Sequence, residues 1–430
     1  MASDPSDRLL WIFLLCAVSS IPFAQASLSE RDTLELFWES TFGTQWTNSN
    51  GWGSTDPICS WFGVVCQDVE LGTPTTTADS GVMILHLPHN NIAHSIPPNL
   101  FQMPNLQEIT LNDNEITDAG FQGLDPAFSQ TGEAAPLKII NMDNNFLTHV
   151  NGLDHAADTL QELKLSNNRL ESFPAEIYAL TQLERLYMNN NEESMTGILQ
   201  TEIGQLVNLR ELYAYGNHLT GRIPTEVGKM NKLEVLSLSS NLFSGPLPTE
   251  MNLMRNLQVL SLHGSSELLS TEDDTAPGMA LTGSIPSFAD TPRLSKLFLS
   301  NNRFSGHLPH DFLKHNILTH QSVLINLQNN ELEGAIPVSL WKFDALHINL
   351  VNNRMVDDIP DVLCTKAQWM HGLVALYDCD AILCPRGTFS ATGQQTTDDT
   401  PCELCPKITG AVKPTYYMGS TSCPGDDGNK

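Results

Sequence analysis

The chain has 430 residues, with 22 Lys+Arg against 49 Asp+Glu and a formal charge of −27. Nucleic acids and anionic membrane surfaces draw their affinity from lysine and arginine, so this balance excludes both as natural partners. Basic partners or bridging cations remain compatible with it, and solubility outside the cell is its simplest consequence.

At the N-terminus, Arg8 precedes an apolar run over residues 9–18, and Ala24-Gln25-Ala26 follows. This is the pattern of a secretory signal with a small-residue cleavage site, so residues 1–26 are expected to leave the mature chain. The run is too short to span a bilayer comfortably, and no second long apolar run follows it. No transmembrane segment is therefore expected, and the polar stretch 425–430 does not fit a lipid-anchor signal. Of the nine cysteines, Cys16 goes with the signal. Eight in a secreted chain read as disulfides. No Asn-x-Ser/Thr acceptor occurs, so N-glycosylation is not expected.

Residues 27–80 read as an N-terminal cap and linker. Ser29 with Asp32 three residues on is a weak capping-box pattern. Leu34, Phe37 and Trp38 then share one helical face. Trp46, Trp52 and Trp61 bring large apolar area, and a Cys59–Cys66 disulfide is expected to staple the segment. The ending formed by Trp61, Gly63, Val64 and Cys66 resembles the N-terminal cap of extracellular plant-type leucine-rich repeat proteins.

Residues 81–360 carry about eleven copies of one frame, Leu-x-x-Leu-x-Leu-x-x-Asn, with Asn at 90, 114, 145, 168, 191, 217, 241, 302, 330 and 353. One copy, built on Leu257, Leu260 and Leu262, has Ser265 in the Asn place. A period of about 23 to 26 residues with this consensus predicts a solenoid of leucine-rich repeats. The fold class expected is an α/β solenoid, a right-handed superhelix with a parallel inner sheet. Leucines point inward and the intervening residues outward. The Asn amide is expected to satisfy backbone groups of neighbouring turns that burial would leave unpaired. Five copies add Leu/Phe-x-Gly-x-Ile/Leu-Pro, with Gly at 221, 245, 283, 306 and 334. There the glycine permits a turn that a side chain would block. That phrase marks the resemblance as plant-type, which implies short helical turns outside the sheet. It also implies a protein that binds peptides, proteins or glycans at cell surfaces and is rarely an enzyme. Two long steps stand out: a loop around residues 120–135 and an acidic insertion at 265–280. Such insertions emerge as loops, either decorating a binding face or merely tolerated.

After Pro360 the frame stops. Residues 361–384 are expected to cover the last repeat, and 385–430 to form a small disulfide-rich module. Cys384 to Cys405 and Cys402 to Cys423 are both 21 positions, a degenerate duplication. Pairing within units gives Cys384–Cys402 and Cys405–Cys423 and leaves Cys364 with Cys379. Four cysteines allow three pairings, so the connectivity stays open at this level. The Cys-Pro-x-Gly-Thr-Phe run resembles short cysteine-rich repeats of receptor ectodomains. Cys402 and Cys405 also match Cys-x-x-Cys, which in a cytosolic chain would suggest zinc; the secretory pattern favours disulfides.

Catalytic spacings are missing: there is no Gly-x-Ser-x-Gly elbow, His-Glu-x-x-His or phosphate loop. His307, His310, His315 and His320 crowd one step without evident metal-ligand spacing. No cofactor is expected. The better lead is the outward column between the second and third leucines: His86, Thr110, Asn141, Lys164, Tyr187, Tyr213, Ser237, Ser261, Phe298, Asn326 and Asn349. Tyr187, Tyr213 and Tyr215, with Arg185, Arg210, Lys164 and Phe298, are the candidate ligand-binding residues, because tyrosine and arginine dominate interface energetics. Tyrosine also simply favours strands. The function expected is recognition of an extracellular peptide, protein or glycan, with signalling left to a transmembrane co-receptor. Inhibition of an extracellular hydrolase and a structural or adhesive wall role are the alternatives.

Overall fold

The computed structural model describes residues 28–67, 74–76, 81–119, 136–150, 153–191, 195–264, 280–406 and 415–423. The expected signal (1–26), most of the 67–80 linker, the loop at 120–135, nearly all of the 265–280 insertion and the 425–430 end lie outside the described residues.

One 13-stranded sheet runs through the molecule. Its first two strands, β1 (Val64–Gln67) and β2 (Pro74–Thr75), are antiparallel and belong to the cap. The other eleven come one from each repeat and pair in parallel. They are β3 (Val82–His86), β4 (Glu108–Thr110), β5 (Ile139–Asn141), β6 (Glu162–Lys164), β7 (Arg185–Tyr187) and β8 (Glu211–Tyr213). Then follow β9 (Val235–Ser237), β10 (Val259–Ser261), β11 (Lys296–Phe298), β12 (Ser322–Asn326) and β13 (Ala345–Asn349). The middle leucine of each strand meets its counterpart next door, as Leu163 with Leu186, Leu212 and Leu236 in succession. All four are fully buried. A single-residue slip would turn this row to solvent, so the hydrophobic frame itself sets the register.

The asparagine ladder works through three contacts per residue. Asn217 donates from Nδ2 to the Met188 carbonyl (3.1 Å) and to its own turn at Ala214 (2.9 Å), while its Oδ1 accepts from the Asn191 backbone N–H (2.8 Å). Asn114, Asn145, Asn168, Asn241, Asn302, Asn330 and Asn353 are buried in the same way. The residue before each ladder asparagine has a left-handed backbone: Asp113, Asn144, Asn167, Asn190, Gly216, Ser240, Asn301, Asn329 and Asn352 all have φ between 51° and 63°. Asn, Asp and Gly tolerate that region best, which explains the small polar residues at this place in the frame.

The glycine phrase builds two smaller sheets, one of two strands and one of four. Thr220–Gly221 pairs with Leu242–Phe243, and Gly245–Pro246, Leu281–Gly283, Arg303–His307 and Glu331–Glu333 follow one another in parallel. The five glycines sit at φ of 77° or 78°, a region that side chains rarely adopt. Outside the sheets the chain turns through single 3-10 helices such as Thr201–Gln205, Thr225–Lys229 and Thr249–Leu253.

Both ends are covered. The helix α1 (Glu30–Ser40) starts on a complete capping box between Ser29 and Asp32 and buries Leu34 and Phe37. Trp46, Trp52 and Trp61 pack around Phe37 and each other at ring distances of 4.9 to 6.0 Å. Their indole N–H groups donate to backbone carbonyls of Thr41, Phe62 and Asp56. Trp38 is only partly buried. At the other end, α2 (Asp361–Cys364), the turn Trp369–Gly372 and α3 (Val374–Tyr377) lie over the last repeat, with the Trp369 indole donating to the Phe343 carbonyl (2.9 Å). Disulfides join Cys59–Cys66, Cys364–Cys379, Cys384–Cys402 and Cys405–Cys423. The cysteine-rich segment does not hang free. Met418 donates to the Met355 carbonyl, and the Gly419 carbonyl accepts from Asn352, so it shares the covering of the last repeat.

Candidate recognition site on the inner sheet

The outward column runs across the inner sheet in strict register, from His86 through Thr110, Asn141, Lys164, Tyr187, Tyr213, Ser237, Ser261, Phe298 and Asn326 to Asn349. Parallel neighbours in register hold their side chains about 4.8 Å apart. Tyr187 and Tyr213 use that spacing to stack, with ring centroids 5.2 Å apart and planes only 8° from parallel. Lys164 continues the stack, its Nζ 5.5 Å from the Tyr187 centroid. Tyr215, two residues along the chain from Tyr213, is exposed on the same face. Phe298 stands apart. Ser237 and Ser261 separate it from Tyr213, so it belongs to a different part of the surface.

The column one step earlier on each strand supplies carboxylates, which sequence reasoning missed. Glu162, Arg185 and Glu211 are register neighbours there. Glu162 is buried and receives Lys164 Nζ and Arg185 Nε, each at 2.6 Å. Burial alone would raise its carboxyl, but the hydrogen bonds from Lys164 and Arg185 outweigh that and hold it below the usual carboxylate range. Glu211 accepts the Tyr187 hydroxyl at 2.7 Å. Burial, then this bond and the Glu211 charge, push the Tyr187 phenol well up, and burial with Glu211 and Tyr215 raises Tyr213. Both phenols therefore stay protonated as donors at any physiological pH. Arg210 reaches Glu234 at 2.9 Å and Glu184 at 3.6 Å, and Glu234 also accepts from Gln258 at 2.8 Å.

Every candidate cation in the patch is thus held by a carboxylate, most often on the adjacent strand. The arginines do not offer free charge; they lock the rings in place. What the face presents is a rigid pair of stacked tyrosines with a third beside it, framed by ion pairs. Such rings add large contact area at low conformational cost. The same frame could have revealed the carboxylates: Glu162, Arg185 and Glu211 alternate in sign just before each middle leucine, and Glu184, Arg210 and Glu234 alternate one residue earlier.

The crowded histidines are dispersed in the fold. His315 contacts Asp290 (2.9 Å) and His320 contacts Asp344 (2.6 Å), both exposed pairs. Among the described residues, no group of three or more His, Cys, Asp or Glu side chains is placed to hold a metal ion. No helix among them is long and apolar enough to cross a membrane.

A stack of near-identical turns, with one parallel strand each and an asparagine spine between them, defines a repeat solenoid whose inner sheet carries the rings. The Leucine rich repeat family model matches residues 158–219, and a Leucine Rich Repeat model matches 232–254 and 293–315. These segments of the solenoid thus carry leucine-rich repeats, between an N-terminal cap and a C-terminal cysteine-rich region. Similar solved structures include receptors and a plant ice-binding protein, the last 22% identical with a TM-score of 0.53 over 78% of this chain and 90% of that one. The Arabidopsis receptor kinase HAESA, solved with the peptide hormone IDA and the co-receptor SERK1, is 25% identical with a TM-score of 0.54, over 66% of this chain and 44% of that one. A TDR receptor is 25% identical with a TM-score of 0.52, over 64% of this chain and 48% of that one. Among curated proteins, mouse podocan is 32% identical over 119 residues, 27% of this chain and 18% of podocan. The chain thus spans less than half of either receptor chain and under a fifth of podocan.

Proposed function

We propose that this protein is a secreted or cell-surface-associated recognition protein. It binds an extracellular peptide, protein or glycan across strands β6 to β8, where Lys164, Tyr187, Tyr213 and Tyr215 supply the contact and Arg185 and Arg210 the frame. The stacked tyrosine pair carries this reading. Two large rings are held parallel on an open face, with the Tyr187 hydroxyl and the neighbouring cations already paired, so binding costs little ordering. Four disulfides and the N-terminal signal pattern support an extracellular address. The peptide and co-receptor bound by HAESA on the same fold support a peptide ligand, with a transmembrane co-receptor to carry the signal. The role is binding rather than chemistry, since no catalytic spacing occurs in the sequence.

The test is capture from extracellular extract with residues 27–430 as bait, beside a bait in which Tyr187, Tyr213 and Tyr215 are all changed to Ala. A partner retained by the first and lost by the second is the expected result. Identical partners on both baits would contradict the proposed face.

A further inference from the structure

The inner face ends in a second feature, unrelated to the tyrosine patch. Between strands β11, β12 and β13 and the C-terminal cap lies a cavity of about 250 Å³. Its walls are Phe298, Leu324, Asn326, His347, Asn349 and His371. An apolar cavity of roughly 150 Å³ already accepts a benzene ring. This one has room for a ring carrying a small polar group.

Three observations single it out. The Nδ1 atom of His347 is enclosed yet has no hydrogen-bond partner among the described residues. Buried polar nitrogens are normally satisfied, so an orphan in a residue that lines a cavity marks a place where a small turn of the ring would gain an incoming partner. His371 reaches over from the cap, its ring 4.6 Å from that of His347 and tilted by 38°. It is held there by a backbone that side chains avoid: Met370 and His371 have φ of 53° and 57° in succession. Met370 is buried and its sulfur accepts from the Ile348 N–H at 3.3 Å, which anchors the strained turn to β13. Strain of this kind persists where the surroundings impose it and clusters at binding sites. Finally, among the described residues no carboxylate lines the cavity, in a chain of charge −27.

We propose that this cavity binds a small carboxylate carried on a flat apolar body. His347 and His371 hold the carboxylate, and Phe298 and Leu324 pack against the body. Imidazolium–carboxylate hydrogen bonds are charge-assisted and strengthen in a partly enclosed site. Burial and the neighbouring His371 lower the His347 pKa. A bound carboxylate acts in the opposite direction, so binding takes up a proton and tightens as pH falls. Few other charges face the pair. Strand β12 brings none. Lys296 on β11 is exposed and stands two strands away in the same column. Asp344, just before β13, is engaged with His320 and Lys366.

Phenylacetate and its neutral counterpart phenylacetamide distinguish the outcomes, titrated into residues 27–430 by calorimetry or ligand-observed NMR at pH 7.5 and pH 5.5. Phenylacetate is expected to bind about tenfold more tightly at the lower pH, the linkage of one proton taken up over about one pKa unit. The amide is expected to bind weakly at both. His371→Gln, at an exposed position, should weaken phenylacetate binding at pH 5.5 while leaving the melting temperature near wild type; His347→Phe should remove carboxylate binding together with its pH dependence. Equal affinity for acid and amide, a response flat with pH, unchanged binding in His371→Gln, or no saturable binding of either probe at millimolar concentration would each overturn the proposal. Changing Tyr187 and Tyr213 leaves this cavity intact, so the two readings fail separately.

Discussion

Strands β6 to β8 and strands β9 and β10 share one backbone, one register and one leucine core, yet their outward faces differ completely. The first group presents Lys164, Tyr187 and Tyr213 over a lattice of Glu162, Arg185, Glu211 and Arg210. The second presents Ser237 and Ser261, both nearly buried, with Ser261 bonded to Ser239 (2.7 Å). A solenoid separates the two requirements. Inward residues repeat because every turn must bury the same surface, and outward residues are free to vary. Function is therefore sought where the outward column departs from small and polar.

The comparison breaks first at the shared core. Leu236→Ala lies beneath the serine stretch but should destabilise the molecule by about 2–5 kcal/mol, through lost burial and an uncollapsed cavity. Denaturant titration checks this. A near-wild-type midpoint would show that the leucine row is not the common support. Next is the spine. Asn217→Ala leaves the Asn191 N–H without its partner, while the Met188 and Ala214 carbonyls each keep the amide of a neighbouring ladder residue, Asn191 and Asn241. A cost of about 1–3 kcal/mol is expected, the price of one buried polar group left unpaired. A smaller effect belongs to the patch alone. The Glu162 carboxyl is held below its unfolded value near 4.5, so its contribution is fully present above that pH and is lost as pH falls through the lowered folded value. Melting temperatures of wild type and Glu162→Gln should therefore differ at pH 7 and converge in acid. A difference that persists well below pH 4.5 would contradict the ion-pair account. Smallest of all, Ser237→Ala should change stability by no more than about 0.5 kcal/mol, as expected where no specific interaction is removed.

Much of this was legible in the sequence because it is periodic. The leucine rows, the asparagine spine, the flanking glycines and the outward column all recur at fixed offsets, so one repeat determines the rest. The stacking of Tyr187 on Tyr213 followed directly from their equal places in successive copies. What escaped was aperiodic or relational. The carboxylates of Glu162, Glu211 and Glu234 were visible as residues, but their capture of Lys164, Arg185, Tyr187 and Arg210 depends on side-chain reach between columns. Phe298 shares the column of the tyrosines, yet two serine-bearing strands part it from them. His371 meets His347 only because an irregular, left-handed turn in the cap folds back over the last strand. No repeat frame predicts that contact. The two smaller sheets escaped for another reason: a glycine turn was read as a bend, while its backbone also pairs with the next copy.

The two ends carry the same lesson about what holds a surface closed. The N-terminal cap relies on Phe37 and three tryptophans with one disulfide, while the C-terminal region relies on three disulfides. A segment with so few apolar residues depends on such links. Mild reduction should open residues 384–423 to protease before the solenoid, and equal resistance with and without reductant would contradict this.

The most direct test of recognition by the tyrosine face compares three baits in one extracellular extract: wild type 27–430, the Tyr187→Ala/Tyr213→Ala double variant, and Ser237→Ala, each checked for an unchanged melting temperature. The account predicts a partner held by wild type and Ser237→Ala and lost by the tyrosine variant. The same partners on all three baits would contradict it and move recognition away from strands β6 to β8.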